Sequence, residues 1–142
     1  MIKVRGYVSS RKINNNFTPQ QLQNMAIRDY CARNKLHYLL SAVEYAMKDS
    51  YYMLNGLAEN LSSIDGIVAF SIFQLPHEKK DRFSIYKKIL KKKKSIYFAI
   101  EGLKISKFGE IEKIEQISKD NNLVAMAGHT FLYNSAVRKI KE

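Results

Sequence analysis

Several residue types and patterns are scarce in this chain of 142 residues. It has one cysteine, Cys31, only two prolines and no tryptophan. A lone cysteine excludes an internal disulfide, and since Cys31 lies within a helical pattern we expect it to be a buried small hydrophobic residue. No stretch reaches the roughly 18 apolar residues of a membrane span, and the N-terminus lacks the apolar run of a signal peptide. We therefore expect a cytoplasmic protein without membrane insertion.

The sequence also lacks the common signatures of catalytic and cofactor sites. His37, His77 and His129 stand far apart, without other ligand residues at suitable spacing, so we expect no metal site. The glycine-rich dinucleotide fingerprint, the phosphate-binding P-loop and the G-x-S-x-G nucleophile motif are all absent. We expect no cofactor, and the sequence does not decide whether the protein is an enzyme.

Acidic residues are few relative to basic ones, and the formal net charge is +11. Nine of the 24 basic residues lie between Lys79 and Lys94, where Phe83, Tyr86 and Leu90 recur at helical spacing. This pattern predicts an amphipathic helix with a solvated lysine face. The recognition of DNA bases depends mainly on arginine, whereas most of the basic residues here are lysines. The sequence alone therefore does not favour nucleic acid as a partner.

Apolar and polar residues alternate between strand and helix periods along the chain, and 46% of the residues are hydrophobic, enough for a core. Thr18 is the predicted N-cap of the first helix, whose predicted apolar stripe is Leu22, Met25, Ala26 and Tyr30. The predicted strands are Ile2 to Ser9, Leu36 to Val43, Gly66 to Phe73, Ser95 to Ile100 and Leu123 to Ala127. The predicted helices are Thr18 to Arg33, Ser50 to Leu61, Glu78 to Lys94, Gly109 to Lys119 and one from Ser135. We expect a single-domain α/β layered fold, with a mostly parallel sheet of four or five strands and helices on both faces.

Polar residues follow the predicted strands at their carboxyl ends, which meet at one rim of a parallel sheet. Ligands of open α/β sheets bind at that rim. Two carboxylates, several hydroxyls and an arginine there would suit a polar, hydroxyl-rich or phosphorylated ligand, although each residue could instead cap a helix or pair with a lysine. The candidate ligand-binding residues are Ser9, Ser10, Arg11, Glu44, Tyr45, Ser71, Gln74 and Glu101.

The stretch from Arg5 to Arg11 resembles the opening of a bacterial family, the sporadic carbohydrate cluster proteins. Further similar blocks are Gln23-Asn24, Ile27 to Cys31, Tyr38 to Ser41, Glu44-Tyr45, Tyr51 to Leu54, Asp65 to Ile67, Phe70 to Pro76, Ile85-Tyr86 and Phe98 to Leu103. The resemblance covers about residues 2–117. That family occurs beside genes of surface-polysaccharide biosynthesis, so the resemblance implies a pathway and not a reaction.

The segment from Asn121 to Lys141 resembles one strand-turn-helix unit of the Gfo/Idh/MocA sugar oxidoreductases. Glu101-Gly102-Leu103 stands where the Glu-Lys-Pro motif of those enzymes would be, and their glycine fingerprint is absent. This segment therefore cannot bind a nicotinamide cofactor alone. The predicted organisation is an α/β domain over residues 1–117 and an extra strand-helix segment over residues 118–142. A gene fusion, a frameshift or an assembly error would each give this pattern.

A strand ending in Tyr-x-Ser-Ser, a helix and the later block Ser71 to Pro76 are similar to the catalytic domains of serine recombinases. The expected fold is therefore resolvase-like or flavodoxin-like. In those enzymes the third block carries an Asp-Arg pair that clamps the scissile phosphate. Phe73, Gln74 and Leu75 stand there in this chain, and without that charge the stabilisation on which phosphoryl transfer depends is missing.

Three hypotheses of function follow. The first is an accessory protein of surface-polysaccharide biosynthesis that binds a sugar or sugar nucleotide at the rim. The second is a non-catalytic module that docks onto an enzyme of that pathway, for which a large exposed apolar patch would be the mark. The third is a nucleic-acid-binding domain of serine-recombinase-like ancestry without strand-exchange activity. The sequence favours them in that order.

Overall fold

Five strands form one sheet in the order β2-β1-β3-β4-β5. The computed structural model describes residues 2–10, 17–44, 51–76 and 78–116. The first four strands are mutually parallel, and β5 runs antiparallel to β4. The strands are β1 (Ile2–Ser9), β2 (Leu36–Glu44), β3 (Gly66–Ala69), β4 (Ser95–Phe98) and β5 (Leu103–Ile105). All four parallel strands thus point their carboxyl ends at one rim.

Helices cover both faces of this sheet. They are α1 (Gln20–Arg33), α2 (Tyr52–Glu59), α3 (Lys79–Lys91) and a helix that begins at residue 109 and continues to residue 116, here α4. A short 3-10 helix, Ile72–Gln74, follows β3. The predicted layered α/β fold with a mostly parallel sheet is therefore confirmed.

Two separate apolar clusters hold the layers together. Ile27, Tyr30 and Cys31 of α1 pack on one face of the sheet, against residues such as Val4 and Val68. The larger cluster on the other face contains the buried side chains of α2, α3 and α4 together with Tyr7. Leu54, Leu57 and Leu61 face inward as predicted, and Cys31 is the expected buried hydrophobic residue.

The start and buried face of α1 differ from the prediction. The helix begins one residue after Pro19, whose carbonyl accepts from the Leu22 and Gln23 amides, so Thr18 is not its N-cap. Leu22 and Met25 are 52% and 57% exposed, whereas Gln23 is completely buried. The inward face is thus turned by one residue from the expected stripe, because Gln23 and not an apolar side chain meets the end of β1.

The region after β3 also differs from the prediction. The strand ends at Ala69, not at Phe73, because Ser71 caps the 3-10 helix: its Oγ accepts from the Phe73 amide at 3.2 Å. The short strand β5 was not predicted, and Gly102, at φ +66°, makes the turn that leads into it. The predicted strand Leu123 to Ala127 and the closing helix lie outside the described residues, as does the whole segment 118–142.

No helix within the described ranges combines the length and apolarity needed to cross a membrane. The cytoplasmic location expected from the sequence stays a prediction.

Candidate functional site

The rim at the carboxyl ends of the parallel strands brings together the polar residues that the sequence singled out. Ser9 ends β1 and lies opposite Glu44, the last residue of β2. Ser71 and Gln74 follow β3, and Glu101 follows β4. Ser10, a further candidate, directly follows β1. The last two candidates, Arg11 and Tyr45, lie outside the described residues.

A buried amide network encloses Ser9. Gln23 Oε1 accepts from the Ser9 amide at 3.1 Å, and Gln23 Nε2 donates to the Ser9 carbonyl at 2.8 Å. Gln74 Nε2 donates to Gln23 Oε1 at 2.8 Å and approaches Ser9 Oγ at 3.5 Å. Since all three residues are almost completely buried, the Ser9 hydroxyl is closed to solvent and is not placed to attack a ligand.

Glu44 holds the start of α2. Its Oε1 accepts from the Tyr7 hydroxyl at 2.9 Å and from the Leu54 amide at 3.1 Å, and its Oε2 accepts from the Met53 amide at 3.0 Å. The first amides of a helix have no partner within the helix, and a carboxylate there is also favoured by the helix dipole. Ser10 lies nearby and half-buried, with its Oγ 3.3 Å from the Glu44 carbonyl.

Glu101 holds the start of the 3-10 helix, as Glu44 holds the start of α2. Its Oε2 accepts from Ser71 Oγ at 2.8 Å and its Oε1 from the Ile72 amide at 3.1 Å. Burial of the carboxylate raises the pKa of Glu101, and the hydrogen bonds from Ser71 and Ile72 partly oppose that rise. Gln74 completes the cap, since its Oε1 accepts from the Ser71 amide at 3.5 Å and also from the Phe70 amide at 3.0 Å.

The predicted polar residues that the structure describes therefore do meet at the rim, but most of their hydrogen bonds are made to one another or to the backbone. Both carboxylates cap helices, and both glutamines hold backbone or each other. Gln23 lies at the centre of the network, although it was not among the predicted site residues. Its position one helical turn before Ile27 and two before Cys31 could have indicated a buried polar residue. Across the described ranges, no cluster of three or more His, Cys, Asp or Glu side chains is suited to a metal ion. Ligand binding at the rim stays a prediction.

A second surface, which we call the lysine face, lies on the solvent side of α3. Lys80, Lys87 and Lys91 are exposed, and with Ser84 between them they repeat at steps of four, three and four residues. At 3.6 residues per turn these positions form one stripe, about 16 Å long from Lys80 to Lys91. The predicted lysine helix and its solvated face are thus found where the sequence placed them.

Ion pairs take up only part of the positive charge of this segment. Arg82 makes a largely buried double contact with Glu115, at 2.8 and 2.6 Å. Lys88 pairs with Glu59 at 3.2 Å, and Lys94 lies 3.8 Å from Asp65. The three lysines of the stripe form no ion pair with any residue that the structure describes. Their ammonium groups therefore remain exposed to solvent without a described counter-charge.

The lysine face is wide open to solvent, and all of the described residues that line it belong to α3. Its lining includes Lys79, Lys80, Phe83, Ser84, Lys87 and Lys91. Lys79 Nζ stands 5.2 Å from the centroid of the Phe83 ring, which is itself packed against the core. A row of ammonium groups beside an aromatic ring can attract phosphate groups without any sequence specificity.

Comparison with known proteins gives the fold but no family. No family model and no curated protein matches the sequence. The solved structures that share the fold include two with a TM-score of 0.58: a resolvase family site-specific recombinase from Streptococcus pneumoniae and the N-terminal catalytic domain of TP901-1 integrase. The first is 14% identical and covers 100% of both chains; the second is 12% identical and covers 88% of this chain and 99% of its own.

These similarities correct the main expectation of function. The sequence favoured an accessory protein of surface-polysaccharide biosynthesis, whereas the similar structures are recombinase and integrase catalytic domains. That finding contradicts the accessory-protein hypothesis and agrees better with the recombinase-like alternative. Identities of 14% and 12% establish a shared architecture only. The resemblance of the C-terminal segment to sugar oxidoreductases stays untested.

Proposed function

We propose that this chain is a nucleic-acid-binding domain with a resolvase-like fold, which holds the phosphate backbone on the lysine face and does not exchange strands. The stripe of Lys80, Lys87 and Lys91 carries this proposal, because three exposed lysines without described acidic partners lie side by side on the solvent face of α3. Lysine is a compact, strongly hydrated point charge, which suits contact with phosphate better than recognition of particular bases.

The rim supports the second half of the proposal. A serine nucleophile must reach the phosphate, but Ser9 is completely buried and its amide and carbonyl are held by Gln23. No arginine of the described residues donates a hydrogen bond to Ser9 or Ser10. The described residues thus place no arginine at either hydroxyl to stabilise the charge that develops on a transferring phosphoryl group.

Binding of nucleic acid is tested by fluorescence anisotropy with a labelled 20-mer of mixed sequence, used as a single strand and as a duplex. We expect the logarithm of the association constant to fall linearly with the logarithm of salt concentration, because bound lysines release counterions. Replacing the stripe by glutamine (Lys80→Gln, Lys87→Gln and Lys91→Gln together) should reduce the slope measured with the duplex by roughly 2 to 3, since each phosphate contact contributes about 0.9.

The matched control removes the same charge elsewhere. Lys35, Lys107 and Lys113 are exposed residues outside the stripe, and their triple change to glutamine lowers the net charge equally. If the control weakens binding as much as the stripe variant, net charge and not the lysine face is responsible. If the unaltered protein binds neither form of the 20-mer at low salt, the proposed function is wrong.

A further inference from the structure

A more enclosed pocket adjoins the lysine face, on the side that faces α2. Its lining includes Tyr51, Tyr52 and Asn55 from the start of α2, Asp81 and Ser84 from α3, and Pro76. We call it the tyrosine pocket. Its volume is about 260 Å³, somewhat below the roughly 300–1,000 Å³ typical of pockets for small organic ligands. The space therefore suits one flat ring system and not an extended molecule.

The tyrosine pocket and the lysine face are continuous. Ser84 lies in the lining of both. Lys88, which also lines the lysine face, donates to Asn55 Oδ1 of the tyrosine pocket at 3.4 Å and so joins α2 to α3 at the boundary. A ligand that follows the lysine stripe could thus turn a group into the pocket without leaving the protein surface.

The chemistry of the pocket is that of a base and not of a phosphate. Tyr52 is 80% exposed, so its ring is open to contact from a ligand. Asp81 adds a carboxylate, which repels phosphate but accepts a hydrogen bond from an exocyclic amino group such as that of cytosine. Aromatic rings beside a positively charged groove are the usual means of binding single strands, because every base has a face that can stack.

We infer that the tyrosine pocket binds one nucleobase of a single-stranded nucleic acid whose phosphates lie on the lysine face. This inference rests on the proposed function and specifies its ligand. In a duplex the bases are paired and stacked within the helix, and bringing one into a pocket would require unstacking it. The protein therefore binds a single strand more tightly than a duplex of the same sequence.

The test compares Tyr52→Ala with Tyr52→Phe, each titrated with a labelled single-stranded DNA 20-mer and with the corresponding duplex. Loss of the ring should weaken single-strand binding about tenfold, which is about 1.4 kcal/mol. Tyr52→Phe keeps the ring, and we expect its affinity to stay within about twofold of the unaltered protein. Duplex affinity should be the same for all three proteins. Because the Tyr52 side chain projects into solvent, neither change should lower the melting temperature by more than a degree or two.

A second measurement needs no variant. An oligonucleotide carrying 5-iodouracil at one position is irradiated in the complex, and the attached peptide is identified by mass spectrometry. Attachment within the peptide that contains Tyr51 and Tyr52 supports the inference, whether the oligonucleotide is DNA or RNA, and attachment confined to other peptides contradicts it.

The outcomes separate this inference from the proposed function. If both forms of the 20-mer bind and Tyr52→Ala lowers both affinities equally or neither, the lysine face stands and the base pocket is overturned. If the stripe variant loses binding while duplex is preferred over single strand, the ligand is a duplex and this inference is again wrong. If no nucleic acid binds, both proposals fall together.

Discussion

The Tyr7 hydroxyl donates to Glu44 Oε1 at 2.9 Å across the β1–β2 pair, and both side chains are completely buried. The same carboxylate accepts the Met53 and Leu54 amides, so it links two strands to the first turn of α2. A buried carboxylate at a strand end is a reasonable candidate for catalysis. Here its oxygens are occupied by the fold itself, which makes Glu44 a structural residue.

Replacing Glu44 by glutamine should therefore destabilise the protein. One acceptor oxygen becomes an NH₂ group that faces backbone amides, so a buried donor is left without a partner. The expected loss in the free energy of unfolding is about 1–3 kcal/mol. Urea denaturation followed by circular dichroism measures it from the shift in midpoint at unchanged slope.

The control for this prediction is Glu59→Gln, at the other end of α2. Glu59 is 62% exposed and pairs with Lys88, so its loss should cost less than about 0.5 kcal/mol. Equal midpoints for Glu44→Gln and the unaltered protein would show that the carboxylate is not needed for the fold and would restore Glu44 as a functional candidate.

Two glycines should respond to alanine in opposite directions. A Cβ atom on Gly66, in β3, would stand 2.6 Å from the Ser95 carbonyl oxygen of the neighbouring strand, and backbone cannot move aside easily. We expect Gly66→Ala to destabilise the protein by about 1–3 kcal/mol. At Gly56, inside α2, nothing beyond the adjoining residues and the backbone of the helix itself lies within 4 Å of such a Cβ, and Gly56→Ala should stabilise by about 0.5–1 kcal/mol.

Thermal unfolding of the two alanine variants side by side checks this pair. The same chemical change is made in both, so any difference reports the local space and backbone. A stable Gly66→Ala protein would mean that β3 and β4 do not approach each other as described.

Much of the fold could be predicted because its signals are local. The span of β1 was predicted correctly, and the inward leucines of α2 follow from helical spacing. β5 has only three residues, too few to show a period, and it becomes a strand only because the turn at Gly102 brings it beside β4. A pattern within the sequence cannot contain that partner.

The candidate site was predictable in position but not in use. Parallel strands bring their carboxyl ends together, so the meeting of Ser9, Glu44 and Ser71 near one rim followed from topology. What those groups bond to depends on contacts such as Gln23 with Gln74, which are 51 residues apart. The spacing of apolar residues on α1 fits either of two neighbouring faces of the helix. The face with Gln23 is buried because the amide and carbonyl of Ser9, at the end of β1, require a polar partner.

Cys31 should be nearly inert in the folded protein. It is 1% exposed, and burial raises the pKa of its thiol from 9.0 to about 11. Only the thiolate reacts, so this rise in the pKa lowers the fraction of reactive thiolate at pH 8 roughly a hundredfold. Poor access of the reagent to the buried sulfur slows the reaction further. We expect an aromatic disulfide reagent to modify the native protein at least about a hundredfold more slowly than the urea-unfolded chain. Because Cys31 is the sole cysteine of the sequence, the absorbance change reports this residue alone. Comparable rates in the two states would contradict the packing of α1 on the sheet.

The pH dependence of stability should distinguish the carboxylates Glu101 and Glu110. Burial raises the pKa of Glu101 above its ordinary 4.5, so the folded state binds the proton more tightly than the unfolded chain does. Its contribution to stability is therefore fully present below pH 4.5 and is lost as the pH rises through the raised value. Glu101→Gln has no proton to lose, and its amide still pairs with Ser71 and Ile72. We expect the stability of this variant relative to the unaltered protein to increase from pH 4 to pH 8.

Glu110 should show the opposite trend. The Ser106 amide donates to its Oε1 at 2.7 Å and lowers the pKa of the carboxyl, so its contribution is present above pH 4.5 and disappears as the pH falls through the lowered value. Glu110→Gln should thus be less stable than the unaltered protein at pH 7, with the gap closing in acid. Urea midpoints at pH 3, 4.5, 6 and 8 for the two variants give the two slopes, with the change for Glu110 confined to the acid end. Slopes of the same sign would mean that the carboxylate of Glu101 is solvated, and that its contact with Ser71 does not take it out of water.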